Sequence, residues 1–247
     1  MENLKISLIN SIRQYGLNWV VSLTFGILLV FVALFLQSAN SFISSGTIFM
    51  NYTFLKGFTV FSLLEVALLV VFLLFFSLFV SLMVFAVRNN LSHVRLHYYL
   101  SEKVKKFGLQ IFAFYFLYSL ILLVIGTGMI SIGYTVMQTN IVLLILSVFF
   151  IFVPQSIVVD EYALADAVMS NFEFISRNFL SFVFAIAVSM VLLLVLGAVE
   201  FALDQVYFLG SFASIVIALL FVIPFTEILK TELYMKKFEL VRYAHLR

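Results

Sequence analysis

Residues 152–178 read FVPQSIVVDEYALADAVMSNFEFISRN, and their interpretation decides the fold. An apolar run interrupted only by Pro154, Gln155 and Ser156 stops at Asp160 and Glu161, and the next apolar run opens near Phe179. Between them, Leu164, Val168, Phe172 and Ile175 fall on one helical stripe, with Asp166, Ser170, Glu173 and Arg177 on the opposite one. Such a segment is too polar to cross a bilayer. It predicts an amphipathic elbow helix lying in the membrane interface, its apolar stripe turned to lipid.

The chain on either side is built for lipid. Of 247 residues, 64% are hydrophobic, 11% are charged and 31 are Phe, a balance that no water-soluble domain of this length could bury in one core. Runs at 17–36, 58–86, 108–132, 141–159, 178–199 and 208–229 each approach or exceed the ~20 helical residues that a ~30 Å hydrocarbon layer requires. Helices are needed because backbone polar groups in lipid must pair internally. The first run is too long for a secretory signal, and Gln37-Ser38-Ala39 is a poor cleavage site, so Met1 is expected to stay attached.

With the N-terminus in the cytoplasm, Lys56 alone of the 14 Lys and Arg falls on an outer segment, and the other thirteen fall inside. This predicts a multi-pass protein of the cell (cytoplasmic) membrane with both termini cytoplasmic. The absence of cysteine excludes disulfides, thiolate metal sites and cysteine nucleophiles. A net charge of +2 is too small to imply a nucleic-acid partner.

The stripe recurs ahead of two other spans, as Leu4, Leu8, Ile12 and Tyr15 and as Leu96, Leu100, Val104 and Phe107. The junctions are alike, RQYGLNW at 13–19 beside KKFGLQI at 105–111, and the chain's two prolines, Pro154 and Pro224, stand near the inner ends of the fourth and sixth runs. The expected architecture is an all-α, six-span protein of three pseudo-repeats, each an elbow plus a transmembrane hairpin: 1–87, 88–158 and 159–235, followed by a basic amphipathic tail, 236–247. The elbows are expected at about 3–15, 91–106 and 162–177.

The run Pro154-Gln155, Ile157-Val158-Val159-Asp160, then small residues up to Ser170, Phe172 and Phe174, resembles the membrane-domain family found fused to some glycerophosphoryl diester phosphodiesterases. It is more closely similar to that family's stand-alone archaeal relatives. The resemblance implies a six-span unit with a proline, a Val-acidic step and a serine-bearing elbow at this place. It covers most of the chain in topology and about 25 residues in motif. Val168-Met169 stand where basic residues often precede the serine, and the soluble phosphodiesterase barrel is not in this sequence, so the resemblance carries no catalysis.

Candidate sites are few. Glu65, seven residues into the second run, and the i,i+4 pair Glu200 and Asp204 form a candidate outer acidic cluster, a site for a cation if the helices meet. At the inner side the break and elbow positions are Pro154, Asp160, Glu161, Ser170 and Pro224, with Asp160, Glu161 and Asp166 opposing Lys103, Lys105 and Lys106. His93 and His97 are one turn apart but lack a third ligand, so no metal is expected. Gly126, Gly128 and Gly133 would allow close helix approach, and Asn51-Tyr52-Thr53 is a glycosylation sequon on an outer loop. No nucleophile, acid and base converge at one depth, so neither catalytic residues nor a cofactor are expected. The expected function is a non-enzymatic membrane module that assembles with itself or another membrane protein. The alternative is a transporter or lipid-handling protein, with the outer acidic site or an apolar cavity holding a lipid ligand.

Overall fold

A computed structural model describes residues 2–39, 42–44, 47–49, 60–92, 100–205 and 210–236. Lys56, Asn51, His93, His97 and most of the tail, 237–247, lie outside these residues. Helix α1 (Glu2–Leu17) is followed by α2 (Trp19–Thr24), a 3-10 turn (Phe25–Ile27) and α3 (Leu28–Ala39). An antiparallel hairpin of β1 (Phe42–Ser44) and β2 (Thr47–Phe49) pairs Phe42 with Phe49, a small exception to the all-α expectation. Then come α4 (Val60–Ser92), α5 (Leu100–Ser131), α6 (Val136–Val148), α7 (Val153–Val159), α8 (Leu164–Arg177), α9 (Phe179–Asp204), α10 (Gly210–Ile217), a π turn (Ala218–Val222) and α11 (Ile223–Met235).

Five helical stretches are long and apolar enough to cross a membrane, and Leu4–Leu17 with Trp19–Phe35 makes a sixth if that pair, bent by 70°, counts as one span. The fold is that of a helical membrane protein. The fourth stretch starts at Val136, earlier than expected, because Gly133 turns the chain at φ +101° and Thr135 opens α6 with a reciprocal cap. Gln138 N–H donates to Thr135 Oγ1 at 3.3 Å, and Thr135 N–H donates to Gln138 Oε1 at 3.0 Å.

The elbows differ from one another. Asn18 and Asn178 each leave helical geometry, at φ −110° and −125°, and each turns its side-chain amide onto the carbonyl four residues back, Gln14 at 2.9 Å and Phe174 at 3.4 Å. A short amide that competes for the backbone is a helix breaker. The expected elbow at 91–106 is not a separate helix over its described part, since α5 runs unbroken from Leu100. Gln110 stands there in place of Asn18, and its longer side chain leaves the ladder intact.

Each proline leaves a gap in the backbone ladder, and in lipid every unsatisfied backbone group costs several kcal/mol. Pro224 frees the carbonyl of Leu220 inside the π turn, and the Tyr15 hydroxyl on α1 donates to it at 3.0 Å, its ring packed on Phe221 and Phe225. Pro154 starts α7 after a break over 149–152. There Asn171 on α8 donates to Phe149 O at 2.8 Å and accepts from Phe152 N–H at 3.1 Å. The elbow helices thus repair both breaks.

Close approach falls at Gly108, where a Cβ would stand 2.5 Å from Leu78 Cδ2 and 3.3 Å from Leu78 Cα, so the α4–α5 crossing admits only hydrogen. Gly126 meets only Leu143 and Thr139 of its own hairpin, and Gly128 meets nothing within 4 Å, contrary to the role expected of them. Phe25, Phe85, Phe107, Ile111, Phe152 and Tyr234 lie sealed in the centre. Helices α5 and α9 are peripheral, with 17% of their apolar stretches buried in protein.

Candidate functional site

Polar chemistry concentrates where α1, the end of α4, the start of α5, α7, α8 and α11 meet. Asp160 closes α7, and its Oδ2 accepts from the Tyr234 hydroxyl at 2.5 Å and from Ser170 Oγ at 3.3 Å. Ser170 and Tyr234 are themselves 3.0 Å apart. Ser170 is buried, which corrects its assignment to a water-facing stripe, while Phe172 on the stripe expected to face lipid is exposed. The buried side of α8 cuts across both stripes: Ala167, Ser170, Asn171, Phe174 and Ile175 pack against protein, whereas Phe172 of the apolar stripe and Asp166, Glu173 and Arg177 of the polar one are exposed. The set ties α7, α8 and α11 together.

Glu161 holds φ +58°, a left-handed conformation that costs a non-glycine residue about 1–2 kcal/mol. Its side chain repays this by joining three elements. Arg88 and Lys103 both donate to Oε1, at 3.0 and 2.9 Å, and Arg88 also donates to Val158 O at 2.7 Å, capping α7. The expected pairing of acidic break with basic α5 is therefore present, through Lys103, while Lys105, Lys106 and Asp166 are exposed. Burial pushes the Glu161 carboxyl up, but hydrogen bonds from Lys103 and Arg88, with their charges, outweigh it and hold it below its ordinary 4.5. A depressed carboxylate stabilises the fold above that ordinary value and loses its contribution as pH falls through the folded one. Wild type is accordingly expected to lose thermal stability below about pH 5 more steeply than Glu161→Gln in detergent melts. Superimposable pH profiles would show that the clamp contributes nothing.

The sequence reading missed a second node. Lys230, one of the thirteen basic residues counted on the inner side, is buried on α11 beside Glu227, Nζ to Oε1 at 2.5 Å, with side chains 8% and 5% exposed. Gln155 Nε2 donates to Glu227 Oε2 at 2.9 Å, and Asn10 Nδ2 donates to Glu232 Oε1 at 3.0 Å. Near them Asn90 donates to Gln14 and Asn18 at 3.3 and 3.2 Å. The signal in the sequence was the i,i+3 spacing of Glu227 and Lys230 on one helical face at the end of an apolar run.

At the opposite end, Glu200 and Asp204 do come together, around the start of α10. Ser211 donates to Glu200 at 3.1 Å and Gly210 N–H to Asp204 at 2.9 Å, and a Cβ on Gly210 would lie 2.5 Å from the Glu200 carbonyl. Glu65 is buried on α4. Among the described residues no three His, Cys, Asp or Glu side chains converge as metal ligands.

Fold and site together define a helical membrane protein whose buried polar residues lock helices to one another. Comparison of the chain with family models, with curated proteins and with solved structures finds no match.

Proposed function

We propose that this chain is a non-enzymatic polytopic membrane protein, an assembly or accessory module that works through the apolar flank of α9. One observation carries the reading: α9 leaves Leu180, Val191, Leu194 and Phe201 uncovered, whereas the buried charges and amides described above are spent on the protein's own helices. Association in lipid gains nothing from the hydrophobic effect between spans, so a broad Leu, Val and Phe flank would act by close packing.

The same reading has six spans in three pseudo-repeats, with both termini cytoplasmic in the cell membrane. Its support is the distribution of Lys and Arg, the matched breaks at Asn18 and Asn178, and the proline gaps each repaired by an elbow helix. Kinship with the membrane-domain family of glycerophosphoryl diester phosphodiesterases belongs to this proposal too, on the stretch from Pro154 to Phe174 alone.

Photobleaching of singly labelled full-length chains in dilute vesicles tests the assembly. Two or more steps are expected, falling to one in Leu194→Trp, with Glu65→Gln/Glu200→Gln/Asp204→Asn unchanged. Single steps in wild type at every protein density would refute it, and cation flux lost in the triple amide variant with folding intact would establish the transporter reading. The lipid-handling form of that second reading draws on a specific feature, an apolar groove on another flank.

A further inference from the structure

A groove of about 370 Å³ opens between α5, the broken α6–α7 span and α8. Phe114, Leu117 and Ile121 line it from α5, Phe150 from the break, and Leu164 and Val168 from α8. Tyr118 also lines it, but its hydroxyl is directed to Ser147 Oγ, 3.1 Å away. The volume lies within the ~300–1,000 Å³ of small-molecule sites. A helix with its side chains is ~10–12 Å across, so this space holds less than about one turn of a partner helix. It suits a slender apolar chain.

Towards the charged end, helical spacing continues the groove face of α5 through Gln110, Phe107 and Lys103. Lys103 is engaged by Glu161. Lys106, beyond them on the flank of α5 that carries Leu117, is exposed and enters no ion pair among the described residues, whereas Lys105 falls on the opposite face of the helix. An apolar trough that leads to an exposed, unpaired cation on the same side of one helix matches an amphiphile with an anionic head.

We propose that the groove holds one acyl chain of an anionic phospholipid, with its headgroup at Lys106. The occupant is a lipid of the leaflet that meets the start of α5. This goes beyond the assembly reading and uses a different face, so either can fail alone.

Native mass spectrometry of the full chain, released from micelles holding equal phosphatidylglycerol and phosphatidylcholine, tests it. Wild type is expected to retain one phosphatidylglycerol with about fivefold preference, the order that one interfacial lysine supplies. Ile121→Trp, which fills the groove, should retain none. Lys106→Gln alters only an exposed side chain and should keep a lipid while losing the preference. Undiminished retention in Ile121→Trp, or undiminished preference in Lys106→Gln, overturns the proposal. A lipid-free wild type whose engineered cysteines at Leu117 crosslink between copies overturns it in favour of a protein occupant.

Discussion

Ser170→Asp is expected to destabilise the protein by about 3–5 kcal/mol, because it would bury a second carboxylate against that of Asp160. Tyr234 has one proton and already gives it to Asp160. Ser170→Ala removes only neutral and charge-assisted hydrogen bonds and should cost about 1–3 kcal/mol. Ser176→Asp, on the exposed side of the same helix, should be nearly silent. The comparison is read from thermal midpoints in one detergent. If the two aspartates were equally mild, Ser170 would have to face water, and the packing of α8 against α7 and α11 described above would be wrong.

The second large effect is expected at Glu227 and Lys230. Breaking a buried ion pair from one side leaves the other charge stranded, at a cost of about 3–5 kcal/mol. Lys230→Met and Glu227→Gln should therefore each be severe, and the double variant should regain much of the loss, since neither charge is then left alone. Unfolding free energies from the four proteins of this double-mutant cycle supply the coupling. Strictly additive losses would mean that the two groups do not depend on each other, despite the 2.5 Å contact.

How much of this was legible in the residues depends on what each residue needed to be understood. The apolar runs of α4, α5 and α9 announce themselves because lipid imposes one solution on any long apolar segment. The elbow helix α8 was visible from its period, and the acidic step Asp160-Glu161 correctly pointed to a basic partner on α5. What could not be read was which flank of α8 meets protein. Ser170 and Phe172 have opposite polarity, and in a membrane the polar side is as often inward as outward, so hydropathy alone ranks them wrongly. The burial of Lys230 was not legible for a related reason: a lysine near a span end is ordinarily free to reach water, and only the three-dimensional neighbourhood of Glu227 and Gln155 holds it inside the protein. Asn51, His93 and His97 lie outside the described residues. Glu200 and Asp204 were legible as a pair one turn apart, whereas the approach of α10 that completes their corner is a question of helix adjacency, which spacing along one chain does not encode.

The repair of Leu220 by Tyr15 sets an order of events for a chain made from one end. The two residues are 205 positions apart, and Asn10 and Glu232 are 222 apart. At about 5–20 residues per second, roughly 10–40 s separate the emergence of Tyr15 from that of its acceptor. Throughout that interval α1 has a side with no protein to cover it, and the membrane surface is the one place where an amphipathic helix can wait. When α11 arrives it carries an open carbonyl and a buried charge pair, neither of which lipid can satisfy. The first described helix thus serves as the closing piece for the last, and a ribosome stalled before α11 would leave the membrane holding a clasp undone.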